Sequence, residues 1–190
     1  APTYVAPSRF REAEITLNSD SFELPGTLTL PKSTEPVPAV VLVHGSGPHD
    51  RDETIYGNKP FKDLSGGLAT RGIAVLRYEK RTLKYGTSID PKTITLDGET
   101  ADDAVAAARL LFDRKEIDPK RVIVLGHSLG AMAAPRIAEK EPKIAGIIVF
   151  AGVMACGVGV LAGLPFGALI MLSLFLAMRS SSSLPSPTML

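Results

Sequence analysis

This chain has one cysteine, three histidines, no tryptophan and a net charge of only +1 across 190 residues. A lone cysteine, Cys156, excludes an internal disulfide framework and any cysteine-rich metal site. Three histidines without ligand spacing argue against zinc, so neither a metal nor a cofactor is expected. Cys156 lies among valine, alanine and glycine, without the neighbouring positive charge that makes a thiol reactive, and reads as a small apolar residue. The near-neutral balance gives no electrostatic case for nucleic acid. Length and 45% hydrophobic content suit one globular domain.

The most informative stretch is Arg121-Val122-Ile123-Val124-Leu125-Gly126-His127-Ser128-Leu129-Gly130-Ala131-Met132-Ala133-Ala134. A β-branched strand ends in Gly-x-Ser-x-Gly and turns into a helix of small residues. So sharp a turn strains the serine backbone and requires glycine two residues away on each side, a demand that Gly126 and Gly130 meet. It leaves the Ser128 hydroxyl at a strand's carboxyl end and a helix's start, where backbone N–H groups favour developing negative charge. Ser128 is therefore the candidate nucleophile. Upstream, Ala39–Val43 is a continuous apolar run, as expected of a buried parallel strand, and His44-Gly45-Ser46-Gly47-Pro48 follows it. Gly45 and Gly47 let backbone approach a ligand, while His44 reads as a strand-end histidine bonded to nearby backbone.

The remaining order alternates strand and helix. Strands are expected over Phe10–Leu17 and Phe22–Leu30 as an opening hairpin, over Ile73–Tyr78, and over Ile144–Gly152. Helices are expected over Phe61–Thr70, over Ala101 to about Arg114 with Thr100 and Asp103 at capping-box spacing, and after Ser128. Asp118-Pro119 reads as a turn into the Ser128 strand. The charged loops Arg51-Asp52-Glu53 and Lys80-Arg81 follow strand ends where ligands bind in open α/β sheets, but they read first as solvated ion pairs. Asp102-Asp103 read as helix-start residues.

His-Gly-x-Gly after one strand and Gly-x-Ser-x-Gly about 80 residues later resembles the α/β-hydrolase superfamily. The runs Val41–Glu53 and Gly72–Arg81 resemble its dienelactone-hydrolase and acyl-esterase-like branch, and the likeness spans about residues 8–152. It implies a doubly wound, mostly parallel sheet with an N-terminal antiparallel hairpin. It also implies a serine esterase with a small-molecule ester substrate, in a secreted or cell-envelope setting. The oxyanion donors it implies are the backbone N–H groups of Ser46 and Leu129. Peptidase or acyl-transfer chemistry on the same fold, and a non-catalytic membrane-associated fragment, stay open beside it.

The same family places an acid and a histidine after the serine. No histidine follows His127, and the only acids after Ser128 are Glu139 and Glu141, on or beyond the following helix. The triad's acid and base are not identifiable, and His49, on the glycine loop, is the remote alternative base. The expectation is a core over residues 9–152, truncated after a sixth strand, with residues 1–8 as a linker. Without an initiator methionine, the chain reads as an excised or processed piece. Residues 153–179 form an apolar segment and residues 180–190 a serine- and proline-bearing disordered tail. The run from Gly159 to Met178 is long enough for the roughly 20 residues that span a bilayer. Competing readings are sequence foreign to the fold, or a helix docked over the sheet edge left by the missing strands. Membrane association and self-association through 153–178 follow as expectations.

Overall fold

The computed structural model describes residues 2–90 and 92–151. Cys156, the apolar segment 153–178 and the tail 180–190 lie outside them. Six strands form one sheet in the order β1-β2-β4-β3-β5-β6. β1 (Phe10–Ser19) and β2 (Phe22–Pro31) make an antiparallel hairpin through a turn at Asp20, whose φ is +50°. β2 also runs antiparallel to β4 (Ala74–Tyr78), whereas β3 (Val37–Val43), β4, β5 (Ile117–His127) and β6 (Gly146–Phe150) run parallel. The doubly wound expectation and the hairpin are both present in this sheet.

The parallel strands carry apolar residues on both sides because helices cover both faces. On one face Val40, Leu42, Val75 and Leu125 pack with Phe61 of α1 (Pro60–Thr70). On the other, Val41, Val43, Leu76 and Val124 join Ala104, Ala108 and Leu111 of α3 (Asp102–Phe112) and Ala133 and Ile137 of α4 (Leu129–Lys140). A short helix α2 (Arg81–Tyr85) follows β4. The loops after β3, β4 and β5 therefore gather at one end of the sheet, the carboxyl end, where open α/β sheets bind ligands.

Two local expectations are corrected. No side chain caps α3, because a π-helical turn, Asp97–Ala101, runs into it and its backbone supplies the partners that a capping box would offer. Asp118-Pro119 is no turn. Both lie within β5, where the β3–β5 register shifts between Val37 and Ala39, so the extra residues bulge out of the ladder.

The charged loops also differ from the solvated pairs expected. Arg77, only 2% exposed, lies against Asp52 and donates to Glu12 at 2.7 Å. Arg81 makes a bidentate contact with the buried Asp103, at 2.9 and 2.5 Å. Asp103 is thus a buried partner of a cation as well as a helix-start residue. Arg51 does form more exposed pairs, with Glu79 and Glu14.

Candidate active site

Ser128 occupies the junction of β5 and α4 with φ +51° and ψ −109°, a conformation that costs a non-glycine residue about 1–3 kcal/mol. Its neighbours explain how the strain is held. A Cβ on Gly126 would overlap the Gly130 carbonyl, and one on Gly130 would overlap the Val43 and His44 carbonyl groups. Helix α4 therefore starts directly against both its own strand and the end of β3. The Ser128 N–H donates to Phe150 O at 3.0 Å and its carbonyl accepts from Met132 N–H at 3.1 Å, which fixes the turn between sheet and helix.

The glycine loop after β3 presses on this turn. A Cβ on Gly45 would stand 3.3 Å from Ser128 Cβ, from His127 Nδ1 and from Glu53 Oε1 alike. The two glycine-bearing loops, 80 residues apart in sequence, thus meet at Ser128. Gly45 is buried, Ser46 is exposed and Ser128 half-buried, so the junction opens to solvent on the Ser46 side. Gly47 takes φ +99°, and a Cβ there would face His49 Nε2 at 3.6 Å. Leu129 is the first residue of α4, with its N–H at the helix's positive end.

Sequence reasoning missed Glu53, which belongs to this junction. It is 1% exposed, has φ +51°, and its Oε1 accepts from Gly45 N–H at 2.7 Å and contacts His127 Nδ1 at 2.9 Å. A carboxylate only accepts, so the His127 proton facing it sits on Nδ1. Lys80 was missed as well: 2% exposed, it donates to Gly45 O at 2.8 Å and to Glu99 Oε1 at 2.5 Å. Their position after the ends of parallel strands was the available signal, and the reading as solvated ion pairs outweighed it.

Each of the three imidazoles has one ring nitrogen engaged in a hydrogen bond. His44 is buried, its Nε2 lies 3.1 Å from Asp50 O, and burial, with the nearby Lys80 charge, pushes its pKa down to about 3. It is a neutral packing residue against Phe61 and Tyr78. His49 Nε2 lies 2.6 Å from Ser46 O, and because a carbonyl only accepts, that nitrogen carries the proton and is not free as a base. His127 faces Glu53 and Phe150. Of the acids after Ser128, Glu141 is bound by Arg109 at 2.7 Å, a contact that holds its carboxyl below the usual range. Among the described residues no imidazole is hydrogen-bonded to Ser128, and no cluster of His, Cys, Asp and Glu could hold a metal.

Residues 40–189 match the model of the alpha/beta hydrolase family. This chain belongs to that family. The match runs past Gly152, where the resemblance read from sequence ends. Over 150 residues the chain is 51% identical to Esterase EstD of Thermotoga maritima, an alignment that covers 79% of this chain and 34% of EstD. The chain therefore spans about a third of the length of that curated relative. Among solved structures, a bacterial brefeldin A esterase superposes with a TM-score of 0.58 at 18% identity, over 80% of this chain and 42% of its own. A dienelactone hydrolase from Klebsiella pneumoniae gives 0.57 at 19% identity, over 80% and 63%. At such identities these two alpha/beta hydrolase neighbours speak for the fold alone.

Proposed function

We propose that Ser128 is the nucleophile of a serine hydrolase acting on small-molecule carboxylic esters. The observation that carries this reading is the strained Ser128 backbone with the Gly45 loop packed against it. The 51% identity to a protein named as an esterase favours esters over peptides or acyl transfer. In the reaction, Ser128 Oγ bonds to the acyl carbon and the carbonyl oxygen takes negative charge beside the N–H groups of Ser46 and Leu129. The ester C–O bond breaks, the alcohol leaves with the serine's proton, and water then releases the acid and restores the hydroxyl. Moving that proton needs a base. No histidine follows His127, Glu139 is exposed on α4 and Glu141 is held by Arg109, so nucleophile and donors stand without an acid and base at the positions after the serine that the family uses.

Two measurements test this. A fluorophosphonate, whose phosphorus bonds to serine Oγ as fluoride leaves and the serine's proton passes to water, is expected to add one phosphonyl group to the peptide bearing Ser128, at the slow rate a missing base allows, and none to Ser128→Ala. Turnover of p-nitrophenyl acetate is expected to stay within about 10³–10⁴-fold of the reaction in water, the level left when a triad member is missing. Labelling that persists in Ser128→Ala removes the nucleophile assignment. Robust turnover abolished by the same change removes the missing base and promotes His49.

Association through residues 153–178 belongs to the same proposal. In β6, at the sheet's edge among the described residues, Ile147, Ile148 and Phe150 are 36%, 43% and 60% exposed, and an apolar edge templates pairing. Among the described residues no helix is long and apolar enough to cross a membrane. Sedimentation without detergent is expected to show the full chain associated. A monodisperse full-length monomer would end the association proposal.

A further inference from the structure

We infer that Lys80, held by Glu99, is a positioning residue for the oxyanion site: it fixes and polarises the Gly45–Ser46 peptide. The inference rests on the assignment of Ser46 N–H as an oxyanion donor. That N–H and the Gly45 carbonyl belong to one peptide unit, which is planar and trans, so the two point in opposite directions. Lys80 Nζ grips the carbonyl end at 2.8 Å from within the protein, which turns the N–H end away from it, to the side on which Ser46 is exposed.

The neighbouring peptides are restrained in the same sense. Glu53 accepts from Gly45 N–H, His49 Nε2 donates to Ser46 O, and Thr82 Oγ1 approaches Gly47 O at 3.4 Å. Of the three side chains on successive carbonyls, only Lys80 brings a full positive charge into a buried position. A cation on a carbonyl oxygen draws electron density along the peptide and makes its N–H a stronger donor, an effect that grows where the dielectric is low. Lys80 N–H also donates to His49 O at 3.1 Å, tying the loop after β4 to the glycine loop by backbone as well.

Burial of an ammonium in this setting calls for a partner, and Glu99 supplies it at 2.5 Å from the turn that precedes α3. The pair thus links the turn before α3 to the glycine loop. Ordinary structural use of a buried ion pair would place it between elements of the core; here one of its hydrogen bonds goes to a single carbonyl of the glycine loop.

Lys80→Met leaves Glu99 without its cation, so Lys80→Met/Glu99→Leu is the better variant, because replacing both members of a buried pair by apolar residues is often neutral or stabilising. Both are compared with the unaltered full-length chain in fluorophosphonate labelling of Ser128, since the probe's phosphoryl oxygen occupies the oxyanion position. The expected result is a fall of about 10²-fold in the bond-forming rate constant, the loss typical of one oxyanion donor, with the probe's reversible binding and the thermal midpoint little changed. Lys80→Arg, which keeps a charged donor for the Gly45 carbonyl, is expected to recover most of the rate.

An unchanged rate constant in the folded double variant overturns the inference while leaving Ser128 as nucleophile. A parallel loss of rate and of probe binding also overturns it, since that pattern reports a distorted pocket. Absence of Ser128 labelling in the unaltered chain defeats the nucleophile assignment and this inference together.

Discussion

Gly130→Ala is expected to destabilise the chain by about 3 kcal/mol or more, the upper end of the cost of forcing extra atoms into a packed interior. The added Cβ would overlap the Val43 and His44 carbonyl groups, backbone atoms at the end of the central strand β3. A flexible side chain could rotate away, but a strand flanked by β4 and β5 has no such freedom. Alanine's better helix propensity, worth about 1 kcal/mol over glycine, acts in the opposite direction and falls short. Movement of α4 is the remaining way to relieve the overlap, and it would carry Ser128 away from the Gly45 loop. Urea denaturation checks the stability and fluorophosphonate labelling checks the site. A variant with the original midpoint and labelling rate would mean that the junction is looser than the packing implies.

That glycine was legible in the sequence because the turn's demand is local. Gly-x-Ser-x-Gly between an apolar strand and small helical residues specifies strand, turn and helix within fourteen positions. The alternation of strands and helices was legible for a similar reason, since buried parallel strands such as Val40–Val43 show their burial as a continuous apolar run.

The polar part of the site was not legible, because its partners are far apart in the chain. Arg77 meets Asp52, Lys80 meets Glu99, and Arg81 meets Asp103 only once the loops after β3 and β4 and the start of α3 have been brought together. Read singly, Asp52, Lys80 and Arg81 are charged residues beside strand ends, and solvation is the reasonable expectation. The capping-box spacing of Thr100 and Asp103 misled for the opposite reason. It is a local signal, and the π-helical turn that runs into α3 overrode it, while Asp103 turns to Arg81 in the interior.

Glu53 carries this furthest, and Glu53→Ala is the second large effect expected. The substitution would leave two donors, Gly45 N–H and His127 Nδ1–H, facing a space lined by protein where a buried carboxylate had accepted from both. The buried Gly45 N–H left unmet costs about 1–3 kcal/mol, while the partly exposed His127 reaches solvent or shifts its proton to Nε2, so a loss of about 2–3 kcal/mol is expected. Relief of the positive φ at residue 53 does not offset this, because alanine tolerates that conformation no better. Glu53→Gln keeps an acceptor oxygen of the same reach and is expected to recover more than half of the loss. The two variants differ in a second respect. Because Glu53 joins the Gly45 loop to the residue just before Ser128, Glu53→Ala should slow Ser128 labelling even at temperatures where the protein is fully folded. Denaturation midpoints for both variants, with labelling rates measured well below them, separate the two effects. If Glu53→Ala unfolds at the original midpoint and labels at the original rate, the carboxylate is not what holds the two glycine loops together.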